Sequence, residues 1–368
     1  MPSELSVIQL IDTLDAGGAE RVAVNLANAL ARRGYQSYLC ATRRGGPLEK
    51  EIDPGVRFTL LGRKNRWDVG AVLRLRQLIR RERIQIIHAH SSSLFIGSLA
   101  SLLTGSRLVW HDHYGPGSTY SRPAWLYRII TRRVDRVFTV TRTLADWATR
   151  VLGIPAAQVQ YLPNFVIGRK TPQTTCDLPG AAGHRIVCVA NIRPVKDQIV
   201  LLQAMQILQQ RQPEAHLLLV GAASDSAYYA AAEAERQSLH LEDRVTFLGK
   251  RDDVAQILAG SDIAVLASRF EGFPLAVLEY GRASLPVVAT NVGECAEILD
   301  HGSAGILVEP GSSQALAAAL NGLLCDPHKR SFLGERLAQR VETIYSEAAI
   351  MTTILHEYRI IQEGSANK

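Results

Sequence analysis

Residues 269–299 read RFEGFPLAVLEYGRASLPVVATNVGECAEIL. Just ahead of them Ile263–Ala267, IAVLA, is a short apolar run of the kind that becomes a buried parallel strand. The stretch then supplies a Glu-Gly-Phe-Pro turn, a short helix carrying a second glutamate, an apolar strand over Leu285–Ala289 and a polar turn over Thr290–Gly293. Strand, loop, helix, strand, loop is the repeating unit of a parallel α/β sheet.

In such a unit the loop leaving a strand's carboxyl end feeds the next helix, whose unpaired N–H groups and dipole favour an anion. Pro274, expected at the first helical position, forfeits only an N–H that the helix leaves unpaired. Gly272 lets the backbone approach a ligand. Glu271 lies in the loop and Glu279 about a turn and a half into the helix, so both carboxylates can border one crevice. Each can accept hydrogen bonds from neighbouring hydroxyls, the pattern of a ribose diol or a sugar. The plainer alternative is two glutamates on a solvated surface.

A chain of 368 residues exceeds one ordinary core and fits two doubly wound domains. Hydrophobic content of 47% with strands and helices alternating throughout reads as soluble α/β. No apolar run is long enough to span a membrane, and MPSELSVIQL has no basic segment ahead of its apolar residues, so a cytoplasmic protein is expected. Cys40, Cys176, Cys188, Cys295 and Cys325 are scattered without a Cys-x-x-Cys, which points away from a disulfide frame and from zinc. No metal and no cofactor are expected. Residues 1–170 carry 25 Lys and Arg against 12 Asp and Glu, net +13, whereas the remainder carries 16 against 23, net −7. A basic half points to an anionic partner. Nucleic acid is not expected, because the basic residues lack interleaved aromatics on a recognisable module.

Two glutamates flanking seven residues in EGFPLAVLE, followed by PVVATNVG and EIL, closely resemble the retaining glycosyltransferases of family 4. The resemblance implies the GT-B architecture: α/β, two Rossmann-like doubly wound domains facing across a cleft. It implies an acceptor-side domain over 1–168 completed by a C-terminal helix at about 346–368, a linker over 169–183, and a nucleotide-sugar-binding domain over 184–345. It covers almost the whole chain and is weakest over Lys50–Arg83 and Tyr114–Arg133. Tyr280–Ser284 stands where the family usually has small residues ending in glycine, and Glu294 where a second glycine is common; both departures bear on the shape of the sugar pocket.

The remaining positions follow in chain order. The first strand, Val7–Ile11, empties into a loop ending in Gly17-Gly18-Ala19-Glu20 at a helix start, where adjacent glycines let amides approach a phosphate or sugar. Its place matches the family's Gly-Gly loop, and it lacks the G-x-G-x-x-G of a dinucleotide site. His88 and His90, at the end of the strand Ile84–His90, point to one side. As a metal pair they need further ligands that the sequence does not offer, and they read as structural histidines; the resemblance adds a His-x-His near the interdomain cleft. The strand Arg107–Trp110 empties into His111–Gly117, HDHYGPG, where the family places a histidine beside the acceptor. His113 is the choice and His111 the second; a neutral imidazole either accepts the proton of the incoming hydroxyl or aligns it. Ser121–Arg133, SRPAWLYRIITRR, reads as a solvated, arginine-decorated helix in preference to a membrane-surface one. Contact with anionic headgroups would account for the charge asymmetry and would place the protein peripherally on the cytoplasmic face of the membrane.

Arg193 and Lys196 sit in the loop after the strand His184–Ala190, where two fixed cations neutralise a diphosphate as charge builds on it. The family has an Arg and a Lys in that role. Lys250 and Arg251, in TFLGKRDDV, border the base pocket by resemblance. The expected donor-binding set is Gly17, Gly18, Arg193, Lys196, Lys250, Arg251, Glu271, Gly272, Phe273, Pro274, Leu275 and Glu279. The expected catalytic set is His113, Glu271, Arg193 and Lys196, with His88, His90, His111 and His113 on the acceptor side. The activity implied is retaining, metal-independent transfer of a hexosyl unit from a nucleotide diphosphate sugar, a UDP-sugar foremost, to a hydroxyl of a saccharide or lipid-linked saccharide in envelope or polysaccharide biosynthesis. The alternatives are an epimerase or phosphorylase on the same fold, or a non-catalytic sugar-nucleotide-binding protein.

Overall fold

A computed structural model of the chain describes residues 5–15, 17–65, 68–114, 122–167 and 177–366. Cys176, the expected linker through residue 176, Gly115–Gly117 and Ser121 lie outside the described residues. The chain divides into two compact units, Met1–Ile167 with Glu347–Lys368, and Gly168–Ser346.

The first unit is built on seven parallel strands: β1 (Ser6–Ile11), β2 (Gln36–Ala41), β3 (Arg57–Leu60), β4 (Ile86–His90), β5 (Arg107–Asp112), β6 (Arg136–Thr139) and β7 (Val159–Tyr161), in the order β3-β2-β1-β4-β5-β6-β7. β1 and β4 are buried along their whole length, as near-continuous apolar strands covered on both faces must be. Alternation sorts their side chains. Ile8, Ile87, Leu108 and Val137 face α2 (Val69–Arg81), α3 (Leu94–Thr104), α4 (Ala124–Ile130) and the segment after α5 (Arg142–Asp146). Val7, Ile86, Val109 and Phe138 face α1 (Gly18–Arg32) and the C-terminal helix Glu347–Ala366. That last helix is pinned by Glu347 to Arg32 and Arg33 at 2.5 Å each and by Glu357 to Arg136 at 2.6 Å.

The second unit holds six parallel strands: β8 (Arg185–Val189), β9 (His216–Val220), β10 (Val245–Gly249), β11 (Ile263–Leu266), β12 (Val287–Thr290) and β13 (Ile306–Val308), ordered β10-β9-β8-β11-β12-β13. Among its helices α6 (Gln198–Gln209), α7 (Ser226–Ser238), α8 (Val254–Ala259), α9 (Leu275–Arg282), α10 (Cys295–Ile298), α11 (Ser313–Leu324) and α12 (Pro327–Ile344), α6 and α11 close one core while α9 packs on α12. In each sheet the strand order reverses once, between β1 and β4 and between β8 and β11. Ligands of doubly wound sheets bind outside the strand carboxyl ends at such a switch point.

Three local expectations are corrected. Pro274 precedes the first helical residue, Leu275, and takes an extended conformation as the cap. β5 runs through Asp112, so His111 is a strand residue paired in register with His90; the polar pair looks like loop in sequence, yet both side chains are buried. The helix expected over Ser121–Arg133 is α4 alone, followed by a 3-10 turn, Thr131–Arg133.

Candidate active site

In the second unit three loops at the switch point are stitched together. After β8 the chain makes a 3-10 turn, Pro194–Lys196, and enters α6 through Asp197, held in the left-handed region at φ 51°. A non-glycine residue keeps that conformation only where its surroundings enforce it. The buried Asp197 carboxylate accepts from Arg269 Nε at 2.7 Å, and the Arg269 N–H donates to the Val195 carbonyl at 2.9 Å. Beside this brace Lys196 Nζ donates to Glu271 Oε1 at 2.5 Å, and Ser268 Oγ donates to the same oxygen at 2.6 Å. The loop after β12 closes on Glu271 from the far side. Gly293 (φ +55°) lies so near that a Cβ there would meet the Glu271 and Gly272 carbonyl oxygens at 2.5 Å, and the Glu294 N–H donates to Gly272 O at 3.1 Å. Gly221 likewise allows a close approach, since a Cβ there would meet Ala190 O at 2.2 Å.

The sequence-derived residues of this unit thus divide. Lys196 and Glu271 meet directly, with side chains 15% and 9% exposed. Arg193 is exposed one turn before Lys196 and has no ion pair among the described residues. Glu279 is half-buried on α9 and close enough to Arg282 to oppose the fall in that guanidinium's pKa, which burial causes. Phe273 is buried, its ring 5.8 Å from that of Tyr345, and Leu275 is half-buried. Lys250 and Arg251 are exposed beyond β10, an edge strand two strands from β8; Arg251 is held by Asp253 through two hydrogen bonds of 2.7 and 2.5 Å. Tyr280, where the resembling family has a small residue, is fully buried, and its hydroxyl accepts from the Val189 N–H at 2.7 Å. The departure therefore ties α9 to the end of β8.

In the first unit β4 and β5 bring four histidines together. His88 Nε2 meets His111 Nδ1 at 3.2 Å, and His90 Nδ1 meets His113 Nε2 at 2.9 Å. The outer ends are held by Tyr358 Oη, 2.5 Å from His88 Nδ1, and by Gln9 Oε1, 2.8 Å from His90 Nε2. Burial pulls His88 and His113 down to about 3 and His90 and His111 well below the ordinary imidazole value. All four are neutral near pH 7. His113 is only half-buried as a residue, yet its Nδ1 is shielded and has no hydrogen-bond partner among the described residues. No third ligand for His88 and His90 is legible in sequence, and His111 is now beside them. One ring nitrogen from each of this trio lies within 4.8 Å of the others. The rings are joined to one another, to Tyr358 and to Gln9 in a hydrogen-bonded array.

Around this array lie residues that the sequence did not single out. Asp12, at the end of β1, accepts from Thr42 Oγ1 at 2.5 Å, Arg63 Nη2 at 2.8 Å and Ser92 Oγ at 2.7 Å. The buried Asp112 is paired with Arg122 at 2.8 Å, whose guanidinium lies 4.0 Å from the Trp147 ring centroid. Asp12 directly follows an apolar strand, which was the signal available for it, whereas Asp112 is the last residue of β5. At Gly17–Gly18 the first glycine is half-buried and the second is exposed. Glu20 folds back so that a Cβ on Gly17 would lie 2.2 Å from its carboxylate, and burial raises that carboxyl's pKa.

Comparison with known proteins follows the same two-part division. The model of the family described as Glycosyltransferase Family 4 matches residues 16–167, and that described as Glycosyl transferases group 1 matches residues 183–326. This chain belongs to the group 1 glycosyltransferases of family 4. It is a glycosyltransferase of the GT-B type. The glycosyltransferase is 27% identical over 373 residues to the N-acetyl-alpha-D-glucosaminyl L-malate synthase of Bacillus anthracis, covering 96% of each chain. It is 24% identical over 341 residues to a UDP-Gal:alpha-D-GlcNAc-diphosphoundecaprenol alpha-1,3-galactosyltransferase of Escherichia coli, covering 86% of this chain and 87% of that one. Its fold matches that of Anabaena HepE in complex with UDP and glucose, with a TM-score of 0.80, 23% identity, and coverage of 96% and 99%. Among the described residues no helix of the glycosyltransferase is long and apolar enough to cross a membrane.

Proposed function

We propose that this glycosyltransferase moves a hexosyl unit from a UDP-sugar to a hydroxyl of a saccharide or lipid-linked saccharide acceptor, with retention at the anomeric carbon and without a metal. The observation that carries the reading is the buried Lys196–Glu271 pair at the β8/β11 switch point, with Arg193 exposed beside it. With Lys196 paired to Glu271 and Arg269 to Asp197, Arg193 is left exposed and without an ion pair among the described residues where a doubly wound sheet binds its ligand. Relatives support the choice of donor and acceptor: HepE binds UDP and glucose, and the Escherichia coli enzyme is named for UDP-Gal and a diphosphoundecaprenol-linked saccharide.

Lys196 and Arg193 bind the diphosphate and stabilise the charge that grows on it as the bond from the anomeric carbon to the phosphate oxygen breaks. The acceptor oxygen forms its bond to that carbon, and its proton passes to the departing diphosphate on the same face. Glu271 both anchors Lys196 and accepts from sugar hydroxyls, while Glu279 accepts from the ribose. The cations supply charge that a divalent ion would otherwise bring, so transfer is expected to persist in EDTA.

His113 is given alignment rather than proton uptake, because an imidazole held at about 3 is a poor base near pH 7. The ring is fixed by His90, and His90 by Gln9. His113→Ala is expected to lower kcat/KM by about tenfold to a hundredfold through lost positioning, with UDP affinity unchanged. The wild-type pH–rate profile should show no break from this group between pH 6 and 8. Unaltered transfer by the variant would remove His113 from the site.

A further inference from the structure

We propose that Gln9 is a positioning residue: by accepting the His90 proton it fixes His113 as the tautomer that offers a bare Nδ1 to the acceptor hydroxyl. Gln9 sits on β1 and is fully buried. Its side-chain oxygen lies 2.8 Å from His90 Nε2, and an amide oxygen only accepts, so that nitrogen carries the proton. A neutral imidazole has one proton. His90 Nδ1 is therefore a lone pair, and the 2.9 Å contact to His113 Nε2 is made by a proton on His113. Neutral His113 then has none left for Nδ1. The row from Gln9 through His90 to His113 runs one way and ends in an acceptor.

The neighbouring row runs the other way. The Tyr358 hydroxyl, 2.5 Å from His88 Nδ1, donates to it, so His88 Nε2–H donates to His111 Nδ1 at 3.2 Å and the row ends in the N–H at His111 Nε2. The Gln9 amide nitrogen has no close hydrogen-bond partner among the described residues, yet Gln9 lowers the pKa of the Tyr358 hydroxyl against the rise that burial causes. An amide turned round would set its carbonyl against an oxygen whose proton already goes to His88, so the surroundings favour the orientation in which Gln9 accepts from His90. Of the four histidines His113 is the one not fully buried, and its Nδ1 is left without a partner among the described residues. A lone pair so placed takes one O–H, that of the hydroxyl His113 aligns.

The test is long-range nitrogen–proton NMR of the full chain labelled on histidine, which reads the ring nitrogen that holds each proton. In the wild type His90 and His113 should both be Nε2–H tautomers, and His113 protonated at Nδ1 overturns the proposal. Gln9→Leu takes the acceptor from His90. A buried N–H without a partner is tolerated less well than a lone pair without one, so the row should reverse and move the His113 proton to Nδ1. Release of UDP from UDP-hexoses, with water as acceptor, should then fall about tenfold or more through kcat, with stabilisation by UDP unchanged. Tyr358→Phe deletes a buried hydrogen bond from the other row and leaves only a lone pair unpaired. It should cost stability yet keep the His90 and His113 tautomers and the rate, which separates lost orientation from general loosening. A wild-type rate in Gln9→Leu with the proton moved, or an equal loss of rate in Tyr358→Phe, overturns the positioning role. The effect on rate rests on the part proposed above for His113, whereas the proton positions rest on the array alone. A wild type that releases no UDP from any UDP-hexose therefore counts against the donor reading, and the tautomers still decide this one.

Discussion

Arg193→Ala and Lys196→Ala are each expected to slow glycosyl transfer by tens to hundreds of fold, about 2 to 4 kcal/mol of lost transition-state stabilisation. The two variants should differ in every other respect. Arg193 is exposed, so its removal should leave the melting temperature where it was. Lys196 is mostly buried against Glu271, and removing it leaves a carboxylate supported, among the described residues, by Ser268 alone. An unpaired, largely buried charge is destabilising, so Lys196→Ala should melt earlier. Pairing Lys196→Met with Glu271→Gln should restore much of the stability without restoring transfer. If the stabilised double variant regained wild-type kcat/KM, Lys196 would be a structural cation only.

Acid should unfold the first unit well before its carboxylates titrate. His88, His90 and His111 are fully buried and held far below the ordinary imidazole value, so the native state leaves them neutral while the unfolded chain protonates them near pH 6.5. Where the unfolded state binds more protons, stability falls as pH falls. The contribution is fully present above the unfolded value and is lost progressively as the pH falls below it. Between pH 7 and 5 an imidazole that stays neutral in the native state removes up to about 2 kcal/mol, a sizeable share of the stability of many domains. Urea midpoints at pH 7, 6 and 5 should drop steeply, and His88→Asn should flatten the slope by about one proton. A stability curve flat over that range would mean that the array is hydrated or charged in solution.

The parallel α/β class was legible because apolar runs such as SVIQLI, IIHAH and IAVL alternate with helical segments, and fully covered strands must read that way. The family was legible because EGFPLAVLE is specific over a long stretch. What escaped are features that neighbours decide. Tyr358 meets His88 across 270 residues of chain, and no local pattern announces such a contact. His111 and Asp112 look like the start of a loop but continue β5, because buried partners satisfy them. Leu99, Leu102 and Leu103 of α3 face outward, a placement its mostly apolar sequence does not show. Nothing in the sequence shows that Glu20 folds back against Gly17. Lys196 and Glu271, taken in sequence as separate ligands for phosphate and sugar, prove to hold one another.

The most direct test of a diphosphate grip at the β8/β11 switch point is equilibrium stability with and without UDP, in EDTA, for the wild type and for Lys196→Met/Glu271→Gln. At a hundred times its dissociation constant UDP should add about 2.7 kcal/mol to the wild type and far less to the variant at the same concentration. Equal stabilisation of both proteins, or no stabilisation of the wild type by any nucleoside diphosphate or its sugar, would contradict it.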